Sequence, residues 1–257
     1  MPWGMRHRVR GEPKSSNGAS SFHLWWRLGS PEPLVAASAT LEVLEPPTVD
    51  RLYFWALQVG FHDGHKDRGA GHTGLQWLPA TPGPPRAAVN WGGYRAPADG
   101  GGELPGTAST LAEVGDGNGN ANTRAYPWLP GRPYRLEVSR CPDQETGWRA
   151  TVTDVEAGTT AVIRDLLGPG RFLTAPGVWS EVFARCDDPP VVVRWSRLRA
   201  LTEAGEEIGP EAVAVTYQGH SEGGCANTNV AVDDLGVRQA TATPRDVPHG
   251  SVLNLPS

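Results

Sequence analysis

The chain has 257 residues, a length that one all-β core can fill. Its 23 Lys and Arg against 28 Asp and Glu leave a net charge of −5, which argues against a nucleic acid partner, because duplex affinity comes mainly from neutralised phosphates. No apolar run approaches the ~20 residues of a membrane-crossing helix, so no membrane partner is expected.

Residues 1–20 read as a flexible leader, since Ser, Gly, Asn, Lys and Arg there offer little to offset the entropy of ordering. Its basic residues are not followed by an apolar stretch, so no signal peptide is visible. The chain as written reads as cytoplasmic, or as secreted if a leader is missing. Residues 21–257 read as one β-sandwich domain with a C-terminal extension.

Gly (32) and Pro (24) recur throughout and break the chain into segments too short for helices. Strands are expected at 34–44, which stops at Pro46 and Pro47, and at 53–61. In the latter, Tyr53, Trp55, Leu57, Val59 and Phe61 alternate with Phe54, Ala56, Gln58 and Gly60. Shorter strands follow at 73–78 and 86–91, separated by the turn-forming PATPGPP. The Gly- and Asn-rich stretch 99–122 reads as a long loop. From Arg132 onward the alternation is cleaner, with further strands at 147–155, 159–167, 178–186, 191–201, 212–218 and 236–243, and with 157–167 the one place for a short helix. About a dozen strands at short spacing predict an all-β protein, a two-sheet antiparallel β-sandwich. Cys141, Cys186 and Cys225 form no CxxC pair. Three free thiols are the favoured reading, with one bridge at most.

Polar residues inside apolar strands are the informative feature for function. Gln58, Gln76, Asn90 and Glu181 are the cases, with Trp91 and Trp179 beside them. If their strands are neighbours, one sheet face carries amides, a carboxylate and rings, a chemistry suited to a polyhydroxylated ligand. A buried network that fixes strand register is the structural alternative. The ten tryptophans suit core filling and also stacking on sugar rings. The leading expectation is therefore non-catalytic binding of a glycan or small ligand by Gln58, Gln76, Asn90, Trp91, Trp179 and Glu181. The alternatives are a glycoside hydrolase or polysaccharide lyase using Glu181 with Asp154, Asp165 being a further partner for it, and a protein-interaction module using the long loop. His62, His65 and His72, with Asp63 and Asp67 between them, are weak metal candidates in a loop that lacks any zincin motif. The acidic pairs at 187–188 and 233–234 read as turn residues rather than calcium ligands. No cofactor is expected.

The run YFWALQVGF, followed by GHTGLQW and AAVNWGGY, and later by YPWLPGRPYRLEV, GWRATVTD and VWSEVF, resembles the domain of unknown function family 3472 over roughly residues 50–185. The resemblance implies a jelly-roll sandwich similar to concanavalin A-like lectin and glucanase folds, and no established reaction. The positions that match by motif are Gly74, Gln76, Trp91, Trp128, Pro130, Gly131, Tyr134 and Glu181.

Overall fold

The computed structural model describes residues 7–30, 32–80, 86–114, 122–142, 144, 146–168 and 170–256. Among them are sixteen strands and no α-helix. The strands are β1 (Ser20–Arg27), β2 (Leu34–Glu45), β3 (Tyr53–His62), β4 (Asp67–Trp77), β5 (Ala87–Arg95), β6 (Thr123–Ala125), β7 (Pro133–Arg140) and β8 (Trp148–Asp154) in the first part. They continue as β9 (Thr159–Leu166), β10 (Phe172–Val182), β11 (Val192–Thr202), β12 (Glu207–Ile208), β13 (Ala212–Tyr217), β14 (Asn229–Asp233), β15 (Gly236–Ala240) and β16 (Val252–Asn254).

Every strand pairing is antiparallel, and hydrogen bonds join all the strands into one sheet. A front wing runs β16-β13-β1-β10-β3-β4-β5-β6, and a back wing runs β14-β15-β11-β2-β7-β8-β9. The wings meet at a single register pair, Leu173 on β10 with Leu34 on β2. Two separate sheets were the expectation, and β10 is the reason there is one. It pairs with β3 on both sides of a bulge between Thr174 and Gly177, where Ala175 takes a φ of 43°, and its first residues also reach β2.

The wings face one another across a shared core. Trp55, Leu57, Phe61, Leu75 and Trp91 from the front pack in one cluster with Leu41, Leu136, Trp148, Val152 and Trp195 from the back. The Phe61 and Trp148 rings stack at 5.9 Å, and Trp91 Nε1 donates to the Trp148 carbonyl at 3.0 Å. Fully burying such a side chain contributes roughly 1.5–3 kcal/mol, so this layer dominates stability.

Three expectations change. Residues 8–19, read as a flexible leader, are held on the body: the Gly11 carbonyl accepts from Cys186 N–H, Lys14 N–H donates to Gly223, and Arg8 donates to Gly224. Backbone and side-chain hydrogen bonds to distant residues do the holding, which composition does not report. Cys186 and Cys225 form a disulfide, tying the loop after β10 to the segment before β14, while Cys141 is buried outside it. The stretch considered for a helix, 157–167, is a turn followed by β9. Residues 81–85 of the PATPGPP turn and 115–121 of the long loop lie outside the described residues.

Candidate functional site

Strand register lays out the outer face of the front wing in rungs. One rung runs Ser21, Glu181, Phe54, Gln76, Ala88 across β1, β10, β3, β4 and β5. The next runs His23, Trp179, Ala56, Gly74, Asn90 and then Thr123 of β6. A third runs Trp25, Gly177, Gln58, His72, Gly92. Side chains on these rungs share a face because successive residues of a strand point to opposite sides. Small residues at Ala56 and Gly74 leave the middle low while bulky ones rise around it. The result is an open cleft of about 740 Å³, lined among others by Phe54, Gln58, His72, Gln76, Trp179 and Glu181.

Trp179 is the hub. Its ring meets Phe54 at 5.0 Å, His72 at 5.7 Å and His23 at 5.9 Å, and its Nε1 donates to Gln58 Oε1 at 3.0 Å. An indole N–H can only donate, so Gln58 must offer its oxygen here and keeps its NH₂ as the remaining donor. Gln76 is oriented from the other side, where the Thr123 hydroxyl donates to Gln76 Oε1 at 2.9 Å and accepts from Asn90 Nδ2 at 3.4 Å. Glu181 is half-buried and accepts from Asn17 Nδ2 at 2.8 Å. Burial pushes both His23 and His72 down to about 4, so both rings are neutral near pH 7 and each presents one donor and one acceptor. Tyr94, which is 47% exposed, and Glu103, bridged to it through the backbone, form the rim beyond β4.

Of the residues expected to share a face, Gln58, Gln76, Trp179 and Glu181 do come together. Asn90 lies on that face but is fully buried and absent from the cleft lining, its Oδ1 has no hydrogen-bond partner among the described residues, and it supports Gln76, which is 1% exposed at the cleft floor, through Thr123. Trp91 points the opposite way, into the core. Asp154 is not near Glu181: it closes the turn after β8, accepting from Ala157 N–H at 2.9 Å and pairing with Arg132 at 3.1 Å. Asp165 is likewise engaged on the back wing, where Arg149 donates to both its oxygens at 2.8 and 3.0 Å. A two-carboxylate site of Glu181 with Asp154 is therefore ruled out by fold geometry.

The three metal candidates do not converge. His62 ends β3 and its Nδ1 accepts from Gly64 N–H, His65 is exposed in the turn, and His72 lies mid-strand in the cleft. Among the described residues no group of His, Cys, Asp and Glu is placed to hold a metal ion. The acidic pairs serve local structure, with Asp187 accepting from Gly11 N–H and Asp233 pairing with Arg194.

Sequence reasoning missed His23, Phe54 and Tyr94 as cleft residues. The signal for His23 was present: in SSFHLWWR, Phe22, Leu24 and Trp26 are buried while Ser21, His23 and Trp25 face the other way. Adjacent Trp25 and Trp26 blur that alternation.

No family model and no curated protein matches the chain. Among solved structures, scytalido-glutamic peptidase with a transition state analog inhibitor is similar at a TM-score of 0.47 and 15% identity, over 86% of this chain and 97% of that one. SCP-B, a member of the Eqolisin family of peptidases in a complex with a tripeptide, is similar at a TM-score of 0.43 and 10% identity, over 86% and 98%. At this distance the likeness says nothing about chemistry.

Proposed function

We propose that the front-wing cleft binds a glycan without turning it over. The reading is carried by one observation: Gln58, Gln76, Trp179 and Glu181 line a single open cleft. Indole and phenyl faces cover the apolar C–H faces of sugar rings, while amides, a carboxylate and neutral imidazoles satisfy hydroxyls as donors and acceptors. A volume of about 740 Å³ suits a ligand of that class.

A second reading is hydrolysis, favoured by Glu181 and Gln76 standing on one rung with Phe54 between them. Glycosidic cleavage needs two flanking carboxyl groups, and Asp154 has been removed as the second. One carboxylate on the same rung as an amide suits an acyl bond better, with Glu181 taking a proton from the attacking water and returning it to the leaving group as the acyl bond breaks, and Gln76 Nε2–H donating to the developing oxyanion.

A glycan array probed with wild-type protein, Trp179→Ala and Glu181→Gln separates the readings. Binding weakened roughly tenfold or more by Trp179→Ala, with no product from any form, supports a lectin-like protein. Turnover of a glycan or peptide library by wild type but not by Glu181→Gln supports a hydrolase. Retention of no glycan overturns the first reading.

We infer further that the protein works in an oxidising compartment rather than the cytoplasm. The bridged pair Cys186–Cys225 supports this, since such bonds persist where thiols are not kept reduced.

A further inference from the structure

The cleft continues past Trp179. On the far side of His23 lies a second hollow of about 400 Å³, lined by Ser21, His23, Trp25, Thr216, Glu222 and His249 among others. Ser21 and His23 line both hollows, so the two adjoin at β1 and together cross β13, β1, β10, β3, β4 and β5. At ~4.8 Å between neighbouring strands, the five steps from β13 to β5 span roughly 24 Å.

We propose that this groove holds a linear glycan of several units laid across the strands, with the second hollow as a distal subsite whose platform is Trp25; the proposal rests on the glycan reading above. Trp25 is built as a fixed platform. Its Nε1 donates to Thr216 Oγ1 at 3.1 Å, and its ring stacks with His23 at 5.3 Å and an interplanar angle of 5°. The residue beneath it on β10 is Gly177, where a Cβ would lie 2.8 Å from the ring, so glycine makes the space that the indole occupies. Trp25 and Trp179 thus stand on adjacent rungs either side of His23, with polar Ser21, Thr216 and Glu222 around them. Rings at intervals with hydroxyl partners between them match a repeating sugar chain.

An extended peptide fits this floor less well. Peptides that bind sheets add a strand to an open edge, whereas β1, β10, β3 and β4 each have a strand on both sides. Only side chains remain to recognise the occupant.

The test is titration calorimetry with β-1,4-linked glucose, N-acetylglucosamine and mannose series, each from disaccharide to hexasaccharide, and with a peptide library as a separate arm. Wild type is expected to gain roughly tenfold or more in affinity along one series. Trp25→Ala removes that gain and leaves the disaccharide affinity within about twofold. His249→Ala, at an exposed position whose Nδ1 accepts from Tyr217 N–H at 3.2 Å, reduces the gain in part and decides the matter if Trp25→Ala fails to fold. Equal affinity for short and long members overturns the distal subsite while the cleft reading survives. A full gain retained in both variants overturns the role of this hollow. Binding of no sugar series, or of peptides alone, overturns both.

Discussion

His72 connects a single side chain to a measurable property of the protein. Its ring is enclosed by Phe54, Trp179 and Tyr94, with no cation among these neighbours, and the carboxylates of the cleft are Glu181 and Glu103. Burial lowers it from 6.5 to about 4, and His23 behaves alike. Between those values the unfolded chain carries the proton and the folded one does not, so stability falls as pH drops from about 6.5 to about 4. Thermal midpoints measured across that window should show a shallower slope for His72→Gln than for wild type. An unchanged slope would mean that the ring does not titrate with folding. At this scale, parity was the legible quantity: Gln58 and Gln76 fall opposite the core residues of their strands, and both meet the cleft. Asn90 and Trp91 are consecutive and cannot share a face, so period two itself already forbade that pairing. Asp154 was harder to read because its partner, Arg132, is brought to it by the pairing of β7 with β8.

Strands carry the next level, and Gly71 of β4 shows how tightly they are fitted. A Cβ there would lie 2.7 Å from the Trp91 ring and 2.8 Å from Phe61, both inside the core. Gly71→Ala should therefore destabilise by about 1–3 kcal/mol, seen as a lower urea midpoint with unchanged slope. Gly29→Ala, which meets only Glu211 at 3.5 Å, should stay within about 0.5 kcal/mol. Long strands with strict alternation, such as β3 and β7, were readable in advance. β4 begins earlier than expected, at Asp67, because RGAGH offers no apolar period, and β6, β12 and β16 are too short to show one. No strand was expected at β1, which follows the leader directly, although it forms the near wall of the cleft.

For the molecule as a whole, the all-β class follows from glycine and proline spacing, but the joining of the wings does not, since the partner a strand chooses is a tertiary event. The disulfide is also tertiary: three cysteines without a motif leave the pairing open, and proximity of the loops at 186 and 225 decides it. These cysteines are 39 residues apart, so loop entropy predicts that Cys186→Ser, or reduction, costs about 3–4 kcal/mol, measurable as a lower denaturant midpoint. A last consequence concerns biosynthesis. β1 sits between β10 and β13, and Ser21 N–H reaches the Gln218 side chain 197 residues later. At ribosomal speeds of about 5–20 residues per second, β1 emerges roughly 10–40 s before that partner exists. Until then β1 has β10 as its one strand partner, and a chain that stalls short of β13 leaves the other edge of β1 open to its neighbours.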